Sequence, residues 1–300
     1  MGSLMRAVAA LLVVALLASA AAADGKPRVV ATFTIIGDLT QALGGDAIEL
    51  TTLVGPDADA HVFEPKPSAV ATVARADLIV ANGLGMEPWL ERLTEAADYR
   101  GKVLTASDGV VPLPFKEGAD GTGAMPDDPH AFQDLANGQI YVKNIEAALA
   151  KLVAPADLAP MHIRAAALES EMAKLDAELK EQIGALPAEN RRILTSHDAF
   201  HYFARAYGLD ILSIQGISTD TEPAAADLAA IARQAKAGKV RAIFLENMSN
   251  PQLVNAISSE SGVPVGGELV ADALTKPDGV APHYLDMFRH NLAELLKVLR

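Results

Sequence analysis

The chain has 300 residues, half of them apolar, so it is long enough to bury a sizeable core and to form two domains. Acidic residues outnumber basic ones by 38 to 25, and the formal net charge of −13 argues against nucleic acid or an anionic membrane surface as a partner. The absence of cysteine excludes disulfides and leaves nitrogen and oxygen as the ligands of any metal site.

The N-terminal segment has the pattern of a secretory signal peptide. Arg6 precedes an uncharged run, residues 7–23, that ends in small residues fitting an A-x-A cleavage rule. A membrane anchor is the alternative, but the run is short for a spanning helix. We therefore predict a signal peptide at 1–23 and a mature chain from about Asp24. Because a lipid anchor needs a cysteine at the cleavage point, we expect a freely soluble periplasmic protein.

Short apolar strands alternate with helical patterns in the first part of the chain. Strands are predicted at residues 28–36, where the strand runs into a helix, and at 48–55, 77–83 and 102–107, with helices at 67–76 and 87–97. This alternation is typical of a parallel α/β sheet. The alternation of strands and helices stops between Asp108 and about Asp134, where Gly, Pro and Asp are the most frequent residues. A loop of this length inside a domain is usually functional or mobile, and we expect metal binding to order it.

A long amphipathic helix is predicted next, at roughly 159–186, because apolar residues recur at steps of three, four and seven opposite a charged face. The α/β alternation then resumes, with strands at 191–196, 209–214, 240–247 and 263–270. We predict two Rossmann-like α/β lobes with parallel sheets, joined by one long rigid helix. The predicted limits are 24–155 for the N-terminal lobe, 156–186 for the connecting helix and 187–300 for the C-terminal lobe.

Four potential metal ligands lie near the ends of predicted strands or of the central loop: His61, His130, His197 and Asp272. Ligands of open α/β sheets bind outside the carboxyl ends of the strands, so a cleft between two lobes could bring the four together. On spacing alone they could equally be unrelated polar residues. The motifs GxSxG, GxxxxGK[ST], GxGxxG and HExxH are missing from the sequence.

Seven segments carry a more specific signal: AHVFEPKPS, DPHAFQD, SHDAFHYFARAYGL, ISTDTEP, ENMS, ADAL and YLDMFRHN. In this order they resemble the zinc and manganese type (cluster A-I) of substrate-binding proteins of metal ABC transporters. The resemblance implies that His61, His130, His197 and Asp272 bind the metal in the cleft between the lobes. It also implies a protein that is not an enzyme and that delivers one Zn²⁺ per chain to the permease and ATPase subunits of an inner-membrane importer.

Zinc is implied because the position of His197 is often glutamate in relatives that take manganese. Three imidazoles and one carboxylate favour zinc over Ca²⁺, Mg²⁺ and Mn²⁺, although ligand type leaves copper open. Manganese binding by the same fold is one alternative. A zinc-dependent hydrolase is another, but four protein ligands leave no position for an activated water. We expect affinity to fall as the pH drops through about 6 to 7, since the ligands must be deprotonated.

The central loop lacks the histidine-rich stretch of many zinc-binding relatives, so a periplasmic metallochaperone is a candidate loading partner. We expect a monomer. His201 is four residues from His197, but Ser196 and Asp198 are good N-cap residues, which predicts a helix start between them. His201 is therefore predicted to flank or support the site without binding the metal directly.

The remaining candidates receive structural interpretations. They are His162, His283 and His290 on the surface or in packing, Trp89 in packing, Asp127 and Asp128 in loop solvation and turn chemistry or in drawing a cation toward His130, and Glu222 either as a helix cap or as a partner of a ligand imidazole.

Overall fold

The computed structural model describes residues 25–114, 127–216, 219 and 224–300. The predicted signal peptide, Glu222 and residues 115–126 of the central loop lie outside the described residues, and so does the predicted ordering of that loop. Within the part described, no helix is both long enough and apolar enough to cross a bilayer.

The N-terminal lobe is a four-stranded parallel sheet in the order β2-β1-β3-β4. The central strands are buried along almost their whole length because helices cover both faces of a parallel sheet. Its strands are β1 (Arg28–Phe33), β2 (Glu49–Val54), β3 (Leu78–Ala81) and β4 (Lys102–Thr105), and its helices are α1 (Thr34–Gly44), α2 (Pro67–Val73), α3 (Leu90–Ala96) and α4 (Leu135–Leu149).

The C-terminal lobe repeats the same strand order, β6-β5-β7-β8, again with all strands parallel. The predicted fold of two α/β lobes is therefore confirmed. The strands are β5 (Arg192–Thr195), β6 (Asp210–Ser213), β7 (Ile243–Glu246) and β8 (Val265–Leu269), and the helices are α6 (His201–Tyr207), α7 (Ala225–Ala237), α8 (Pro251–Ser261) and α9 (Tyr284–Leu299).

Helix α5 (Pro155–Gly184) joins the lobes. Its 30 residues span about 45 Å. Pro155 occupies a first-turn position, where the missing N–H would have no partner in the helix. One stripe of α5 is buried against α1 and α4 of the N-terminal lobe and α6 and α9 of the C-terminal lobe. The predicted limits of the lobes and of the connector stay predictions.

The helix after β5 starts later than the sequence suggested. Residues 196–200 form a turn, and α6 begins at His201, so the predicted start between Ser196 and Asp198 was wrong. The backbone N–H of His197 donates to Glu246 at 2.9 Å and that of Asp198 donates to the carbonyl of Gly216 at 3.2 Å. These contacts hold the segment in a turn outside the helix. His197 consequently lies in the strand-to-helix connection, and the i, i+4 geometry of one helix face does not apply.

Candidate metal centre

The four predicted ligands meet in one buried cluster at the junction of the lobes. His61, His130, His197 and Asp272 each present one nitrogen or oxygen atom, and these four atoms all lie within 4.8 Å of one another. Asp272 Oδ2 is 2.9 Å from His197 Nε2, 3.4 Å from His61 Nε2 and 3.5 Å from His130 Nε2. The two imidazoles of the N-terminal lobe approach each other at 3.2 Å between their Nε2 atoms.

Parallel strands direct these side chains to the cluster because their carboxyl ends face the cleft. His61 follows β2, and its backbone N–H donates to Asp59 at 2.8 Å. His197 follows β5 by two residues, and Asp272 follows β8 by three. His130 directly precedes a short 3₁₀ turn, Ala131–Gln133. Each lobe thus contributes two of the four groups.

The cluster has the dimensions and the missing partner that a cation would satisfy. A zinc ion about 2.0 Å from each donor atom would place neighbouring donors of a tetrahedron about 3.3 Å apart, within the range of separations seen here. Asp272 Oδ1 is buried and has no hydrogen-bond partner among the described residues. Buried carboxylate oxygens are normally paired, so an additional positive partner fits this position.

Two buried carboxylates contact the Nδ1 atoms of two imidazoles of the cluster. Asp128 Oδ1 lies 2.8 Å from His130 Nδ1, and Glu246 Oε2 contacts His197 Nδ1. A carboxylate that accepts from Nδ1–H leaves the Nε2 lone pair for a metal, fixes the ring orientation and makes the ligand more basic. His130 and His197 are therefore oriented with Nε2 toward the cluster before any ion is present.

The carboxylates in and beside the cluster also determine which groups carry protons in the metal-free protein. Burial alone would lower the pKa of His130, but Asp272 and Asp128 outweigh burial and raise this pKa to about 9. The pKa of His197 also lies well above its usual value, because Glu246 and Asp272 overcome the effect of burial. Burial would raise the pKa of Asp272, yet the two imidazoles hold it well below the usual range.

Three residues next to the cluster differ in how well the sequence predicted them. Asp128 is fully buried and contacts two imidazoles, so the predicted loop solvation was wrong, whereas its 2.9 Å contact with the backbone N–H of His130 is the predicted turn chemistry. His201 flanks the cluster as predicted, with Nδ1 3.2 Å from Asp128 Oδ2 and Nε2 3.0 Å from Asp198 Oδ1. Glu246 was not predicted as a functional residue, although a carboxylate at the end of the apolar strand VRAIFLE, beside the strand that precedes His197, was an available signal.

The other candidates lie away from the ligand atoms. His162 pairs with Glu146, and His290 contacts the carbonyl of Glu268. His283 is largely exposed and pairs with Asp38. Trp89 is buried as predicted, and its indole N–H donates to the carbonyl of Ala60, the neighbour of His61, at 2.7 Å.

Comparison with known proteins identifies the relationship. Residues 29–298 match the family described as ZnuA, zinc-uptake complex component A, periplasmic. The chain belongs to this family. ZnuA-family proteins are metal-binding substrate-binding components of ABC transporters, so the chain is a transport protein and not an enzyme, and a permease and an ATPase are its implied partners.

Individual relatives within the family are named for different metals. The chain is 31% identical to the iron-binding protein YfeA of Yersinia pestis over 98% of this chain and 96% of that protein. It is 32% identical to the manganese ABC transporter substrate-binding lipoprotein PsaA of Streptococcus pneumoniae, over 94% and 91% of the two chains.

Solved structures of related proteins have the same fold. The periplasmic zinc binding protein TroA from Treponema pallidum aligns with a TM-score of 0.84 and 30% identity, over 92% of this chain and 99% of that one. A manganese-bound periplasmic metal binding protein from candidatus Liberibacter asiaticus aligns with a TM-score of 0.80 and 29% identity, over 92% and 100%.

Replacing Glu246 with glutamine is expected to lower zinc affinity by about 10- to 100-fold. The amide can still accept from the His197 backbone, but it replaces a charged acceptor of Nδ1–H by a neutral group. Competition titration against a chromophoric chelator measures the loss. Glu268→Gln, an exposed carboxylate on β8, is the matched control and should leave the affinity unchanged. A Glu246→Gln affinity equal to that of the control would contradict the assigned role.

Proposed function

We propose that this protein binds one Zn²⁺ through His61, His130, His197 and Asp272 in the periplasm and delivers it to an ABC importer. The observation that carries the proposal is the convergence of three imidazole nitrogens and one carboxylate, two from each lobe, in a buried cluster. Membership in the ZnuA family supports the transport role.

Zinc is the proposed cargo because three nitrogen donors and one oxygen donor suit it better than they suit harder cations. Donor separations of 2.9 to 3.5 Å support a tetrahedral site. The aligned zinc-binding TroA structure agrees with this assignment.

Manganese is the second candidate cargo, and two observations favour it. Relatives that cover most of the chain are named for manganese, and a related structure holds that ion. The unpaired Asp272 Oδ1 could also bind, which would make Asp272 bidentate and raise the coordination number. Larger cations with oxygen preference accept such an arrangement more readily than zinc does.

Competition between the two ions separates these candidates. We expect Zn²⁺ to bind at least about a thousandfold more tightly than Mn²⁺, because imidazole-rich sites follow the Irving–Williams order. X-ray absorption of the zinc-loaded protein should show four nitrogen or oxygen ligands at about 2.0 Å. Preferential retention of Mn²⁺ when both ions are offered at equal concentration would replace zinc by manganese in the proposal.

We also propose that the mature protein is periplasmic and lacks a lipid anchor. The extracytoplasmic location agrees with the family. The streptococcal relative is named a lipoprotein, but this sequence contains no cysteine to which a lipid could be attached. Cell fractionation followed by mass spectrometry of the mature N-terminus tests this proposal. Cleavage near Asp24 with release by osmotic shock is the expected result. The monomeric state and loading by a metallochaperone stay predictions.

A further inference from the structure

Outside the four-residue cluster, two histidine–aspartate pairs of the described residues connect the lobes. His201 at the start of α6 contacts Asp128 of the N-terminal lobe, with 3.2 Å between Nδ1 and Oδ2. His283, just before α9, contacts Asp38 on α1, with 2.8 Å between Nδ1 and Oδ1. The chemistry of the two pairs is the same, but only the first pair reaches a metal-binding side chain.

Both carboxylate oxygens of Asp128 make contacts, and each oxygen contacts a residue of a different lobe. Oδ1 accepts the backbone N–H of His130 at 2.9 Å and lies 2.8 Å from its Nδ1. Oδ2 faces His201. Asp128 is fully buried, whereas the His201 side chain is 31% exposed. One carboxylate thus joins a ligand imidazole of the N-terminal lobe to the first turn of a helix in the C-terminal lobe.

The residue after His201 reinforces this connection. The buried Tyr202 hydroxyl donates to the carbonyl of Asp128 at 3.1 Å and accepts the backbone N–H of Leu113 at 2.9 Å. Leu113 in turn accepts the backbone N–H of Asp128 at 2.8 Å. The first turn of α6 therefore contacts both the side chain and the backbone of Asp128, from the opposite side of the interface between the lobes.

We propose that His201 is a positioning residue that makes the orientation of His130, and hence the rate of metal release, depend on the relative position of the two lobes. The proposal rests on the proposed function, since it takes His130 as a ligand. While the lobes are together, His201 and His130 fix both oxygens of Asp128 in one orientation. When the lobes separate, the contact with His201 breaks, Asp128 Oδ2 loses that restraint, and the carboxylate that aims Nε2 of His130 at the metal is held less firmly.

Two substitutions at position 201 isolate this contact. His201→Asn places an amide N–H at the position of Nδ1 and keeps a donor to Asp128, whereas His201→Leu removes the donor at similar size. Both remove the contact with Asp198 and both remove the imidazole ring, so the difference between them reports on the donor to Asp128. Stopped-flow release of Zn²⁺ to a chelator should be about tenfold faster for His201→Leu and within about twofold of wild type for His201→Asn.

His283→Leu is the matched control because it removes the other histidine–aspartate pair between the lobes, away from the ligands. Its release rate should equal that of wild type. A His201→Leu rate within twofold of wild type, or an equal increase for His201→Asn, would overturn the proposal. An equal increase for His283→Leu would also overturn it, because a general loosening of the lobes would then explain the effect.

A measurement on the metal-free protein separates this proposal from the proposed function. The backbone N–H of His130 donates to Asp128, so its hydrogen exchange should be faster in His201→Leu than in His201→Asn, with no zinc present. Equal exchange in the two variants would overturn the positioning role. If wild type does not bind zinc although exchange differs as expected, the proposed function fails while the contact across the lobes stands.

Discussion

Zinc affinity is expected to fall by roughly a thousandfold when Asp272 is replaced by alanine. Asp272 supplies the only carboxylate among the four proposed ligands, and it lies within 3.5 Å of all three imidazole nitrogens. The binding free energy of a four-ligand zinc site, about 10 to 16 kcal/mol, corresponds to about 2.5 to 4 kcal/mol per ligand, or roughly a seventyfold to a thousandfold change in affinity. Because Asp272→Ala also removes a negative charge, we expect its loss of zinc affinity to lie at the upper end of this range.

Competition titration with a chelator of known zinc affinity measures this effect. Asp278→Ala is a matched control, because Asp278 is exposed and follows Asp272 by six residues in the same connection. Circular dichroism of both variants without metal checks that they fold. A loss below tenfold for Asp272→Ala would remove Asp272 from the ligand set and leave an incomplete site.

Zinc affinity is also expected to rise steeply with pH, by about 100-fold per pH unit near neutrality. Asp272 and Asp128 raise the pKa of His130 to about 9, and the pKa of His197 lies well above its ordinary value, so both imidazoles are protonated at pH 7 without metal. Zinc must displace the proton from Nε2 of each. Binding should therefore release about two protons, and the window expected from the sequence, about pH 6 to 7, moves upward toward pH 9.

Calorimetry in buffers with different ionisation enthalpies counts the released protons. His283→Gln is the control, because this exposed histidine pairs with Asp38 away from the ligands and should leave the count unchanged. Release of no protons at pH 7, or an affinity that does not vary between pH 6 and 8, would contradict the protonation states described here.

The free energy of unfolding of the metal-free protein should fall as the pH rises, whereas zinc affinity should increase. A histidine whose pKa is raised by folding stabilises the folded state fully below its unfolded value of about 6.5, and this contribution is lost as the pH rises through the folded value. For His130 that loss falls between about pH 6.5 and 9. Chemical denaturation of metal-free protein across this range measures it, and saturating zinc should weaken the dependence.

The local patterns of the chain predicted the architecture and pointed to four candidate ligands, but only the resemblance to a known family grouped those four into one site. Alternation of apolar runs with helical segments predicted two parallel α/β lobes, and the three-four spacing predicted the long helix found at Pro155–Gly184. The helix after β5 was less predictable. Ser196 and Asp198 satisfy the sequence rule for an N-cap, but contacts of that segment with Glu246 and Gly216 delay the helix to His201.

The sequence by itself determined which donor atoms are available: a cysteine-free chain offers histidine nitrogens and carboxylate oxygens at loop and strand ends. Only the tertiary structure decided how those donors are oriented. Asp128 lies 2 residues along the chain from His130, and Glu246 lies 49 residues from His197. His201 lies 71 residues from His130, which it reaches through the carboxylate of Asp128. The physical reason is that ring orientation and protonation depend on burial and on a partner within about 3 Å. These are set by how each lobe folds and by how the two lobes meet.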